Sequence, residues 1–150
     1  MREILYRAKA MKEPRWVYGD LLRAGTDPAD GEYEIMYWDD ESGWMQERVD
    51  PATIGQFTGC LDKNNMRIFE GDIVECVSWS EYFTNPATGE VMQPFRRRMY
   101  VAFQNGGFKM IEPMPYGMKD NVWDIIYNGD IRIIGNMIYH PELLKKDEPQ

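Results

Sequence analysis

Tyr33-Glu34-Ile35-Met36-Tyr37-Trp38-Asp39-Asp40-Glu41-Ser42-Gly43-Trp44-Met45-Gln46-Glu47-Arg48-Val49 reads as two extended segments joined by a tight turn. Tyr33, Ile35 and Tyr37 alternate with Glu34, Met36 and Trp38, and a strand sends alternate residues to opposite faces. Asp39 to Gly43 supplies turn chemistry, and Trp44 to Val49 returns. The stretch therefore predicts a β-hairpin with an acidic tip.

The flanking chain repeats this grammar. Glu3 to Lys9 and Arg15 to Asp20 predict strands, and Ala24 to Gly31, rich in Gly, Asp and Pro, predicts a loop. Asp50 can cap a helical turn opened by Pro51. Beyond Gly59, Asp62-Lys63-Asn64-Asn65 predicts a second tight turn, because Asn tolerates positive φ. Glu70-Gly71-Asp72 leads into a strand over Ile73 to Ser80, and Asn128-Gly129-Asp130-Ile131 echoes it; both read as strand-entry turns. A loop follows at Asn85 to Gly89. Arg98 to Gln104 and Phe108 to Glu112 flank the turn Asn105-Gly106-Gly107. Lys119 to Tyr127 predicts a short helix, with Val122, Trp123, Ile126 and Tyr127 at helical spacing. Ile131 to Met137, which contains Gly135, predicts the last strand, and Pro141 opens a final turn to Lys146. Many short strands between tight turns predict a mainly β fold, a small barrel or meander with short helical turns. The segment from about Gly71 to Met137 is expected to close as an SH3-like barrel. An N-terminal β unit of about 1–58 and a barrel-like unit of about 59–146 would share a single domain.

At 150 residues and 43% hydrophobic, the chain can bury a core. It has no apolar run of membrane-span length, and Met1 to Arg7 lacks the apolar stretch of a secretory signal, so a cytoplasmic protein is expected. Cys60 and Cys76 match no zinc or redox spacing. The formal net charge of -8 lies wholly between Asp27 and Asp50, where nine acids face one base, Arg48. That segment repels phosphate and reads as a solvated face.

No catalytic, cofactor or metal set emerges. The lone histidine, His140, rules out a multi-histidine metal site and a His-based triad. Asp39, Asp40 and Glu41 lack the spacing of a calcium loop. Asp72 and Asp130 sit in matching turn contexts, which favours backbone bonding over acid–base work. The one cluster pointing to nucleic acid is Arg96-Arg97-Arg98 with Lys109, beside Tyr100, Phe103 and Phe108. In a strand, Arg96 and Arg98 share a face and Arg97 points away.

Several blocks recur in a known order: Arg2-Glu3-Ile4 with Tyr6-Arg7-Ala8; Trp16-Val17-Tyr18-Gly19; Val49-Asp50-Pro51-Ala52-Thr53-Ile54-Gly55-Gln56-Phe57-Thr58-Gly59; Leu61-Asp62-Lys63-Asn64; Ile68-Phe69-Glu70-Gly71-Asp72-Ile73-Val74; and Ile134-Gly135-Asn136-Met137-Ile138-Tyr139 with Pro141-Glu142-Leu143-Leu144. Across nearly the whole chain this order resembles the YopX family. The resemblance implies a β-rich, phage- or prophage-encoded protein that self-associates, and it supplies no catalytic residues. The chain departs from the family pattern at Asn65, where glycine is usual, and in having Cys60 and His140.

The expectation is a non-enzymatic accessory protein of the bacterial host cytoplasm that acts by binding or by forming a homo-oligomer. Period two cannot bury Trp16, Tyr18, Tyr37, Trp38 and Trp44 on one face, so some of them belong in an interface, with a second copy or with a host or phage protein. One alternative is a nucleic-acid-associated module using Arg96, Arg97, Arg98 and Lys109. Another is that the acidic hairpin mimics nucleic acid toward a host protein.

Overall fold

A computed structural model describes residues 1–78, 87–89, 95–125 and 130–145. Within them the chain forms eleven strands: β1 Tyr6–Lys9, β2 Trp16–Ala24, β3 Glu32–Asp39, β4 Gly43–Val49, β5 Gly55–Leu61, β6 Arg67–Phe69, β7 Asp72–Ser78, β8 Phe95–Gln104, β9 Gly107–Glu112, β10 Asn121–Asp124 and β11 Asp130–Asn136. The helical content among the described residues is three 3-10 turns, Pro28–Asp30, Pro51–Thr53 and Pro141–Leu144. Each begins at proline, whose fixed φ suits the first helical position. Asp27 and Asp50 cap the first two by accepting from the N–H groups of Ala29 and Ala52.

The fold is mainly β, as expected, and divides into two compact units: Met1–Cys60 with Arg67–Gly71, and Leu61–Met66 with Asp72–Gln150. The first carries a six-stranded sheet in the order β4-β3-β2-β1-β5-β6. The quoted hairpin forms in register, Trp38 opposite Trp44 and Tyr33 opposite Val49. Ile35 and Val49 join Ala8, Ala10 and Val17 in a buried cluster, against which Tyr33 and Tyr37 pack. β2 extends to Ala24, beyond the predicted end at Asp20, because residues 20–24 pair with β3 after residues 16–19 have paired with β1. The hand-over falls at Gly19, where a Cβ would lie 2.1 Å from the carbonyl oxygen of Met36. Gly59 and Gly71 both hold φ of +86°, a backbone that glycine adopts without steric cost.

The second unit carries an antiparallel sheet in the order β10-β9-β8-β7-β11. No described pairing joins β10 to β11, so the closure expected of an SH3-like barrel is not found among the described residues. Its core is built from Ile73, Val74, Met99, Val101, Met110, Ile111 and Ile131, all at most 3% exposed. Asn105 and Gly106, with φ of 50° and 79°, make the predicted turn between β8 and β9. The helix expected over Lys119 to Tyr127 is a correction, because Asn121–Asp124 is a strand paired with β9. An isolated helical turn repays little of its nucleation cost, whereas the open edge of β9 offers ready hydrogen-bond partners. Ile126 and Tyr127 lie outside the described residues, as do Trp79 and Ser80 of the expected seventh strand, Asn85 and Pro86 of the loop, Asn128 and Gly129 of the echo, and Lys146.

Candidate functional site

β8 begins at Phe95, three residues before the expected start, so the arginine run lies inside a paired strand. Val77 stands opposite Arg96, Cys76 opposite Arg97 and Glu75 opposite Arg98. Alternation then divides the proposed cluster between two faces. Arg96, Arg98 and Tyr100 fall on one. Arg97 and Phe103 fall on the other, with Phe108, which stands opposite Phe103.

The first face is organised by Glu75, only 4% exposed. Arg132 stands opposite it on β11, and Arg98 stands opposite it on β8. Arg132 donates from a terminal nitrogen to Glu75 Oε1 at 2.7 Å, Arg98 Nε donates to Oε2 at 3.3 Å, and Arg96 donates to Oε1 at 3.4 Å. Arg98 also donates to the carbonyl oxygen of Leu143 at 3.4 Å. Burial pushes the Glu75 carboxyl up, but the hydrogen bonds from Arg132 and Arg98, together with the charges of Arg132 and Arg96, outweigh it and hold the group below the ordinary glutamate range. Three guanidinium groups thus share one carboxylate. On the same face the Tyr100 hydroxyl is pushed above its ordinary value, by burial and then by the charge of Asp120.

On the opposite face, Arg97 donates to Glu112 Oε1 at 3.4 Å, which also accepts from Asn121 Nδ2 at 3.1 Å. The Arg97 guanidinium lies 5.3 Å from the Trp123 ring centroid, a cation–π contact. Phe103 and Phe108 meet edge to face at 5.3 Å. Lys109, which register puts back on the Glu75 face, is ion-paired with Asp124. The sequence therefore named the arginines but missed Glu75 and Arg132, because nothing local links residues 75, 98 and 132. Period two in β7 was the only available signal, since it put Glu75 among Ile73 and Val77.

The expected turn residues have structural work. Asp62, 6% exposed, accepts from the N–H groups of Asn64 at 2.8 Å, Met66 at 2.9 Å and Ile133 at 3.0 Å. Asn65 takes φ of 61° in that turn. Asp72 is buried, and it stands opposite Asn136 while Asp130 stands opposite Val77, so the two aspartates occupy opposite ends of the β7–β11 ladder. Gly135 follows a register shift in β11, and a Cβ there would sit 2.8 Å from His140 Nδ1. That nitrogen accepts from the N–H of Asn136 at 3.3 Å, and Pro141 then opens the last turn.

In the first unit, Trp38 and Trp44 meet edge to face at 5.4 Å, yet are 58% and 63% exposed. The other expected interface aromatics differ. Tyr37 packs on the core, and Trp16 receives the Arg7 guanidinium at 4.7 Å, while Tyr18 stays 46% exposed. Next to the tryptophan pair, Asp39 accepts from the N–H groups of Ser42 and Glu41, each at 2.9 Å, which holds its carboxyl below the ordinary range. Among the described residues no group of three or more His, Cys, Asp or Glu side chains could hold a metal ion, and no helix is long and apolar enough to cross a membrane.

Comparison with known proteins gives a family and a fold. The family described as "YopX protein" matches residues 5–145. A crystal structure of protein EF1440 from Enterococcus faecalis is similar over 97% of this chain and 100% of that one, with 21% identity and a TM-score of 0.53. No curated protein matches.

Proposed function

Because the chain belongs to the YopX family, we propose that it is a non-enzymatic phage or prophage accessory protein that works by assembly, its first partner being a second copy of itself in the cytoplasm of the bacterial host. The observation that supports this reading is the exposed Trp38–Trp44 pair on β3 and β4. Two indoles left in water forgo the stabilisation that burial gives large aromatic surfaces, and such residues are enriched where interfaces form. β4 is also the outer strand of its sheet; its Arg48–Val49 end is taken up by Met11 and Ala10, and the outward backbone groups nearer Trp44 can extend the ladder to another chain. The neighbouring acids Asp39, Asp40 and Glu41 set a polar rim and oppose indiscriminate edge pairing.

Light scattering on the purified chain tests this. A mass above one chain is expected, falling toward one chain in Trp38→Ala/Trp44→Ala. A monomer at high concentration, or an assembly indifferent to both substitutions, overturns the reading.

A further inference from the structure

We propose that Arg96, Arg98 and Arg132, fanned around Glu75, form a binding site for a phosphate group. The site lies on the second unit and does not depend on the tryptophan pair. Its argument begins with position. β11, β7 and β8 are adjacent strands, and Arg132, Glu75 and Arg98 stand opposite one another across them. Arg96 is the next residue of β8 on the same face.

A nearly buried carboxylate is a fixed anchor. It draws three long, mobile side chains to one point and so removes part of the rotamer entropy a ligand would otherwise have to overcome. The arginines stay 66%, 48% and 42% exposed, so the anchor holds them without enclosing them. Each guanidinium has five N–H donors. The bonds to Glu75 and to the Leu143 carbonyl use only a minority of them, and the rest make no hydrogen bond among the described residues.

Charge and shape then select the ligand. Asp130 shares this face by register, so two carboxylates count against three guanidinium groups and one positive charge is left for an incoming anion. Lys109 and Asp124, also on this face by register, neutralise each other. Phosphate is doubly or singly charged and presents several acceptor oxygens. Forked guanidinium donors suit it better than an ammonium would. The pairing between Arg97 and Glu112 lies on the other face and takes no part. A free phosphate or small phosphate ester and the backbone of a single-stranded nucleic acid offer the same group, and the test separates them.

The test uses the full chain with two probes, inorganic phosphate followed by calorimetry and a labelled oligothymidylate followed by fluorescence anisotropy across a salt series. Saturable binding of phosphate alone supports a small-ligand site. Salt-dependent binding of the oligomer supports a nucleic-acid site. In either case Arg132→Ala should weaken binding about tenfold or more. Glu75→Gln carries the sharper signature. It keeps an acceptor for the arginines but removes the competing charge, so it should tighten binding several-fold, an effect that damaged folding would not produce. Retained far-ultraviolet circular dichroism qualifies each variant. Binding of neither probe, affinity unchanged in Arg132→Ala, or affinity unchanged or weakened in folded Glu75→Gln overturns the proposal.

Discussion

Asp62 offers the most searching test of how the second unit is held together. One carboxylate oxygen accepts from Asn64 and Met66 and closes the 62–66 turn; the other accepts from Ile133 and ties that turn to β11. The Lys63 N–H donates to the carbonyl oxygen of Ile131 at 2.8 Å and strengthens the same junction. Asp62→Ala leaves three backbone donors without their acceptor in a site where Asp62 is only 6% exposed. At about 1.5–3 kcal/mol for each bond to a charged acceptor, discounted by about half because water can reach the turn, the loss is about 2–4 kcal/mol. Asp62→Asn separates the contributions. Its amide oxygen can keep the two turn bonds, but its NH2 then faces the Ile133 N–H, donor against donor. That loss should be about 2 kcal/mol, concentrated at β11. Urea unfolding gives the totals, and amide hydrogen exchange at Ile133 gives the location. If Asp62→Asn is as stable as the parent chain, or if Ile133 keeps its protection in Asp62→Ala, the junction is held by something else.

Four further outcomes are expected. Gly19→Ala should cost about 3 kcal/mol or more in urea unfolding, since the new Cβ meets the Met36 carbonyl oxygen at 2.1 Å and backbone cannot step aside cheaply. Glu75→Ala should cost about 2 kcal/mol, a figure kept low because its arginine partners are substantially exposed. The same group predicts acid sensitivity: its folded-state pKa is lowered, so its contribution is complete above the ordinary glutamate value and disappears as pH falls through the lowered one. Unfolding midpoints measured down an acid series should therefore fall less steeply in Glu75→Gln than in the parent. Asn65→Gly should be neutral or slightly stabilising in thermal melts, because φ is already 61° there.

What the sequence determined by itself was local. Proline openings, capping aspartates, Asn and Gly turns and the alternation of Tyr33, Ile35 and Tyr37 are short-range effects of sterics and hydrogen bonding. They specify strands, corners and the core-facing side of the first hairpin. The order of its residue blocks also sufficed to indicate the family. Tertiary structure decided whatever depends on which strand lies beside which. Val122 and Trp123 fit a helix as readily as a strand, and only the available edge of β9 made them strand. Arg96 and Arg98 read as a free basic patch until β7 brought Glu75 against them and β11 added Arg132 from 57 residues beyond it. Pairing partners far apart in the chain leave no periodic trace, because the bonds that join them run between backbone groups every residue possesses.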